Sequence, residues 1–110
     1  MGNALINDDS GLSFSPLATT DIKATWAYLA DHGDDVAEDF IRSILRVCGL
    51  ISQNPGMGRD RSEIIVDLRL FPYKNYNIFY FLTDNGVEIY RVLHSSRDTI
   101  QIFDDAIGAN

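Results

Sequence analysis

Few residues in this chain carry the chemistry of an acid, a base, a nucleophile or a metal ligand. Its two histidines are His32 and His94, and its single thiol is Cys48. His94 closes an apolar run and is followed at once by Ser95-Ser96-Arg97-Asp98. A general base needs a nucleophile placed in space and a donor for the developing oxyanion, and adjacency along a chain supplies neither. A hydrogen-bonded histidine at a strand end is the simpler expectation. His32 stands beside Gly33, where a helix-ending or exposed role is expected. Cys48 falls among apolar residues at helical spacing, which predicts a buried structural thiol. One cysteine excludes an internal disulfide framework and any multi-cysteine zinc site, and the histidines do not stand at metal-ligand spacing. Neither a phosphate-cradling P-loop nor a dinucleotide fingerprint is present. No metal or cofactor is expected, and no residue is assigned as catalytic.

The arginines carry more promise. Arg59 follows Gly56-Met57-Gly58, Arg69 lies between Leu68 and Leu70, and Arg91 sits in a late apolar run. An arginine within a sheet needs a carboxylate or carbonyl partner, because burying it alone is costly. Glu63, Asp67 and Glu88 are close enough in sequence to serve. The alternative is a cationic cluster that meets an acidic partner helix or a phosphate. The charge distribution leaves both open. The 110 residues hold 9 Lys+Arg against 16 Asp+Glu, a net charge of −7, yet six of the nine basic residues fall between residues 59 and 97.

The elements that would position these groups follow from periodicity. Residues 1–11 are polar and aperiodic and read as a flexible leader, followed by one domain over residues 12–107. Leu12 and Phe14 alternate with serines in a short strand that stops at Pro16. Ala18, Ile22, Trp26, Leu29 and Ala30 then recur at helical spacing, with Asp21 placed early for the helix dipole and Gly33 as a left-handed cap. A second helix opens on Asp34, Asp35, Glu38 and Asp39 and carries an apolar stripe of Ala37, Phe40, Ile41, Ile44, Leu45, Cys48 and Ile51. Val36, Val47 and Leu50 widen that stripe beyond one face, as a surface that meets a partner would. Asn54-Pro55-Gly56 stops this helix, and the two helices should pack as an antiparallel hairpin.

Beyond the Arg-rich loop the period drops to two. Residues 64–71 read as a strand interrupted at Pro72, and residues 76–83 as a near-central strand rich in aromatic and β-branched types. Asp84-Asn85-Gly86 turns into a last strand, Val87 to His94. Within it, Val87, Ile89, Arg91 and Leu93 share one face by alternation. A short final helix follows Arg97, with Ile100, Phe103 and Ile107 on one side. This order predicts an α+β domain, a helical hairpin laid on a small, mostly antiparallel sheet.

Composition narrows the function classes. Apolar residues make up 45% and charged ones 23%, ordinary for one globular domain. No apolar run nears the ~20 residues that span a bilayer, and the start lacks a signal peptide's basic and apolar regions, so a cytoplasmic protein is expected. The acidic balance argues against a general nucleic-acid binder, whose affinity rests on Lys and Arg at phosphates.

Four stretches resemble the RelE/ParE superfamily of bacterial type II toxins, the ParE branch above all. They are Asp21-Ile22-Lys23-Ala24-Thr25-Trp26-Ala27-Tyr28-Leu29 in the first helix, Asn54-Pro55-Gly56-Met57-Gly58-Arg59 after the second, Asp67-Leu68-Arg69 with the later Tyr76, Ile78 and Tyr80, and Ile89-Tyr90-Arg91-Val92-Leu93-His94-Ser95-Ser96-Arg97-Asp98. Each is weak alone, but the four in order over residues 12–104 are specific. The resemblance implies a toxin held inactive in a hetero-oligomer with a cognate ParD-like antitoxin. ParE-type members inhibit DNA gyrase, which arrests growth and can serve plasmid maintenance. RelE-type members instead cut mRNA on the ribosome, usually with a tyrosine near the C-terminus. No tyrosine follows Tyr90 here and only Lys23 and Lys74 are lysines, so the gyrase reading leads. The ribosome-dependent endonuclease and a non-toxic antitoxin-binding module are the alternatives. The antitoxin's amphipathic tail is expected in a groove lined by Val36, Val47, Leu50, Tyr76, Phe79 and Phe81, with Arg59, Arg69 and Arg91 pairing its acids. The resemblance places toxicity in the C-terminal segment, at His94, Arg97, Asp98, Ile100 and Phe103.

Overall fold

The computed structural model describes residues 11–108, with side chains through residue 104; the leader expected over residues 1–11 lies outside it but for Gly11. In chain order the elements are β1 (Leu12–Phe14), α1 (Pro16–Ala30), α2 (Asp34–Gln53), a 3₁₀ turn (Pro55–Met57), β2 (Arg59–Asp60), β3 (Arg69–Tyr73), β4 (Tyr76–Thr83), β5 (Gly86–His94) and α3 (Thr99–Gly108). The strands form one sheet in the order β1-β5-β4-β3-β2. β1 runs parallel to β5, and every other neighbour is antiparallel. The fold is α+β, with the hairpin and sheet that the sequence predicts and β4 at the centre.

α1 begins where expected. The Ser15 hydroxyl accepts the Ala18 N–H at 3.0 Å, and Pro16 fills the first turn, where its missing N–H costs nothing. Its buried positions are Ala18, Ile22 and Thr25, and Trp26 is 37% exposed. A 4-then-3 step from Ala18 lands on Ile22 and then Thr25, and Trp26 lies a further 100° around the helix, outside the stripe expected for it. Gly33 does adopt a positive φ of 125°, but with ψ 136° it is the N-cap of α2 rather than a left-handed cap of α1. Asp34 and Asp35 occupy the first turn of α2, as the macrodipole favours.

Both faces of the sheet are covered. Ile78, Tyr80, Val87, Ile89 and Val92 pack under the hairpin with Ala18, Ile22, Ile44, Val47, Cys48 and Ile51. Leu68, Leu70, Phe79, Leu93 and Phe103 form a second core on the opposite side. There the Phe103 ring meets Phe79 edge-on at 5.0 Å and Tyr90 at 5.7 Å, so α3 caps the face that the hairpin leaves open. α3 turns Phe103 and Ile102 inward and leaves Ile100 59% exposed, unlike the expected stripe of Ile100, Phe103 and Ile107; the Ile107 side chain lies outside the described residues.

Two further expectations are corrected. Residues 64–66 are turns, with Val66 74% exposed, and β3 starts only at Arg69. Asp67 at φ 67° breaks any continuous strand ahead of it, while Ile64 and Ile65 pack into the second core from the loop. β3 then runs through Pro72, which lies beyond β2 on a free edge that tolerates a residue without an N–H. In β5 the alternation fails as well. Tyr80 pairs with Ile89 and Phe79 with Arg91, so Tyr90 is an extra residue and the strand carries a β-bulge. Beyond the bulge the faces exchange: Ile89 and Val92 reach the hairpin core, and Tyr90 and Leu93 the other. No helix among the described residues is long and apolar enough to cross a membrane.

Candidate functional site

β5 has a strand on each side only as far as β1 extends. When the chain leaves β1 at Phe14 and turns into α1, the outer edge of β5 loses its strand partner, and its main-chain groups need others. α1 supplies them. The Ser15 N–H donates to the Ile89 carbonyl at 2.9 Å, and the Ser15 hydroxyl donates to the Tyr90 carbonyl at 2.7 Å. Six residues on, Asp21 accepts the Val92 N–H at 3.0 Å. The same carboxylate takes a bidentate pair from Arg91, Nε at 2.8 Å and Nη2 at 3.0 Å. Both side chains are about one-tenth exposed, 11% and 12%. The Asp21 hydrogen bond holds the Arg91 pKa above its ordinary value and outweighs the burial that opposes it.

This joint reassigns two residues. Arg91 pairs with Asp21 on α1 rather than with Glu88. Asp21 stands six residues into α1, too deep for the dipole role expected of it, and serves as the counter-ion of the bulge.

Further along the same seam the closure ends. Past Val92, α1 and β5 diverge around a groove of three adjoining depressions of about 160, 300 and 270 Å³. Tyr28, Tyr76 and His94 line all three. Arg97 borders one end and Lys74 the other. The imidazole of His94 packs edge-on against Tyr76 at 5.1 Å, and its Nδ1 accepts the Ser96 N–H at 3.0 Å with the Ser96 hydroxyl at 2.8 Å. An Nδ1 that accepts a backbone N–H leaves the proton of the neutral ring on Nε2. His94 is thus the hydrogen-bonded strand-end histidine of the simpler expectation, and its ring also walls the groove. The sequence singled out Tyr76, His94 and Arg97 but missed Tyr28 and Lys74. Asp21, Ala24 and Tyr28 stand at 3- and 4-residue steps, marking a second face of α1 that could have revealed Tyr28.

A separate polar knot holds the loop that presents Arg59. The Tyr80 hydroxyl donates to the Pro55 carbonyl at 2.6 Å and accepts the Gly58 N–H at 2.8 Å, while Arg69 donates to the Gly58 carbonyl at 2.6 Å. A Cβ on Gly58 would lie 2.6 Å from that hydroxyl, so only glycine allows the approach. Burial raises the Tyr80 pKa against this hydrogen bond. Arg69 therefore grips its own loop, and Arg59 is exposed.

The remaining sequence-selected residues do not converge. Val36 and Leu50 are 44% and 42% exposed on α2, but Val47 is buried in the hairpin core. Phe79 and Phe81 lie with the second core, across the sheet from Tyr76, because successive strand residues face opposite ways. Tyr76, Phe79 and Phe81 therefore cannot line one groove. In the C-terminal segment Asp98 accepts the Gln101 N–H at the start of α3, Arg97 and Ile100 are exposed, and Phe103 is sealed inside. Cys48 is fully buried, and burial pushes its thiol up to about 12, the inert structural state expected of it.

A helical hairpin on one face of a β1-β5-β4-β3-β2 sheet, with a third short helix on the other, defines a small toxin of the RelE/ParE type. The family model described as ParE toxin of type II toxin-antitoxin system, parDE, matches residues 12–99. Toxin ParE1 of Mycobacterium tuberculosis, from strains H37Rv and CDC 1551 alike, is 30% identical over 86 residues, covering 76% of this chain and 88% of that toxin. A chain of the solved chromosomal ParDE TA system from P. aeruginosa shares the fold with a TM-score of 0.66 at 15% identity, over 76% of this chain and 94% of that one. The chain belongs to the ParE family of type II toxins.

Proposed function

We propose that this toxin acts by inhibiting DNA gyrase, and that a cognate ParD-like antitoxin neutralises it in a hetero-oligomeric complex. Membership of the ParE family carries this reading. On it, free toxin in the cytoplasm arrests growth, and a genetic element that encodes the pair is retained in the population. The exposed apolar residues Val36 and Leu50 on α2, with Arg59 on its tethered loop, are the most exposed members of the expected antitoxin surface. An amphipathic antitoxin helix with acidic flanks matches them. His94, Arg97, Asp98 and Ile100 lie toward solvent around the entry to α3 and are assigned to toxicity; Phe103 acts only by holding α3 in place. The domain over residues 12–107 works as one unit.

The test is gyrase supercoiling of relaxed plasmid with purified toxin. Inhibition that antitoxin reverses supports the reading. Undiminished supercoiling at large molar excess of folded toxin overturns it. Codon-register cuts in translated mRNA would favour the nuclease instead.

A further inference from the structure

The groove between α1 and the end of β5 has a build that the toxin reading uses only at His94 and Arg97. Its middle is aromatic: Tyr28, Tyr76 and His94 wall each of its three depressions, and Tyr28 is 65% exposed. Its ends are cationic, with Arg97 at one and Lys74 at the other. Arg42, Arg61 and Arg91 are all paired with carboxylates, whereas neither Lys74 nor Arg97 has an ion pair among the described residues. The one carboxylate in the groove wall, Asp21, is neutralised by Arg91 and the Val92 N–H. Lys74 lies over the Phe40 and Tyr73 rings at 5.8 and 5.4 Å, so its charge is held beside the groove without a carboxylate. Two cations without a counter-ion, bracketing an aromatic platform over a neutralised floor, favour an anion that carries a flat ring.

We propose that this groove binds a single nucleotide, its base against Tyr28, Tyr76 and His94 and its phosphates at Arg97 and Lys74. Bases stack on aromatic side chains whatever their identity, and a phosphate is satisfied by one or two cations. A long strand is disfavoured, because a chain of net charge −7 repels an extended polyanion and has few cations to track it. This inference does not rest on the gyrase reading: a toxin that blocks supercoiling but binds no nucleotide fails here alone.

The test titrates the full chain with adenosine 3′,5′-bisphosphate, which carries a phosphate on each side of the sugar, followed by calorimetry and by backbone amide NMR. Saturable binding is expected, with shifts at Tyr28, Tyr76, His94 and Arg97. Adenosine alone and inorganic phosphate alone should each bind at least about tenfold more weakly, since each uses half of the groove. Tyr28→Ala should weaken binding about tenfold or more while Tyr28→Phe retains it. Lys74→Gln and Arg97→Gln should each lower affinity and flatten its salt dependence. Amide spectra of the variants establish that they remain folded. Absence of a saturable shift in the groove overturns the proposal. So do inorganic phosphate binding as well as the bisphosphate, indifference to Tyr28→Ala in a folded protein, or binding of an acidic peptide in place of the nucleotide.

Discussion

The two ends of the seam between α1 and β5 are built from similar residue types and do opposite things. At the near end Ser15, Asp21 and Arg91 take up the exposed edge of the bulged strand, and their polar groups meet inside the molecule. At the far end, about two turns of helix later, the rings of Tyr28, Tyr76 and His94 and the charges of Lys74 and Arg97 face a cleft. Arg91 and Arg97 are six residues apart in one segment, yet the first is a fastener and the second is exposed. An arginine's type does not assign its role; the acids within its reach do.

The largest break in this contrast should come from Asp21→Ala. It leaves the Arg91 guanidinium buried without its counter-ion and the Val92 N–H without an acceptor, and should lower unfolding free energy by about 3–5 kcal/mol in urea titrations. The paired replacement Asp21→Leu with Arg91→Met should recover much of that loss, because an apolar pair removes the uncompensated charge. Recovery would show that Asp21–Arg91 is a structural joint.

Tyr80→Phe, outside the seam, asks whether closed polar knots elsewhere are worth a comparable amount. It strips the Gly58 N–H and the Pro55 carbonyl of their partner, for an expected loss of about 1–3 kcal/mol. The same hydroxyl sets a pH limit. Its folded pKa lies above the unfolded value, so its contribution is intact below about pH 10 and is lost as pH rises through the folded value. Urea midpoints should therefore fall at alkaline pH more for the native protein than for Tyr80→Phe.

Ser15→Ala sharpens the near end further. It removes a helix N-cap and the donor to the Tyr90 carbonyl together, and should lose about 1–2 kcal/mol. The smallest change belongs to the far end. Tyr28→Ala, at an exposed side chain that secures no main-chain group, should alter thermal or urea stability by no more than about 0.5 kcal/mol.

Much of the fold was legible in the sequence. The Ser15-Pro16 start of α1, the α2 stripe and the central β4 follow from capping, a 3.6-residue period and β-branched and aromatic content. The bulge at Tyr90 was not legible, since one inserted residue leaves no mark in composition, and it sends Val92 and Leu93 to faces opposite those that alternation assigns. The partner of Arg91 lies on α1, 70 residues away in sequence, rather than among Glu63, Asp67 and Glu88. The antitoxin groove drawn through Tyr76, Phe79 and Phe81 failed for a simpler reason, as strand alternation alone separates Tyr76 from the other two. Tyr76, His94 and Arg97 were within reach because they sit in the family-like segments. Tyr28 and Lys74, 66 and 20 residues before His94, join them only once the hairpin is laid on the sheet.

The central claim, that one seam is closed at one end and open at the other, is tested most directly by one substitution made at two places. Arg91→Gln and Arg97→Gln delete the same charge from the same segment, and their unfolding free energies can be read in a single set of urea titrations. The division predicts a loss of about 3 kcal/mol or more for Arg91→Gln and of no more than about 0.5 kcal/mol for Arg97→Gln. Equal losses, or a larger one at Arg97, would contradict it.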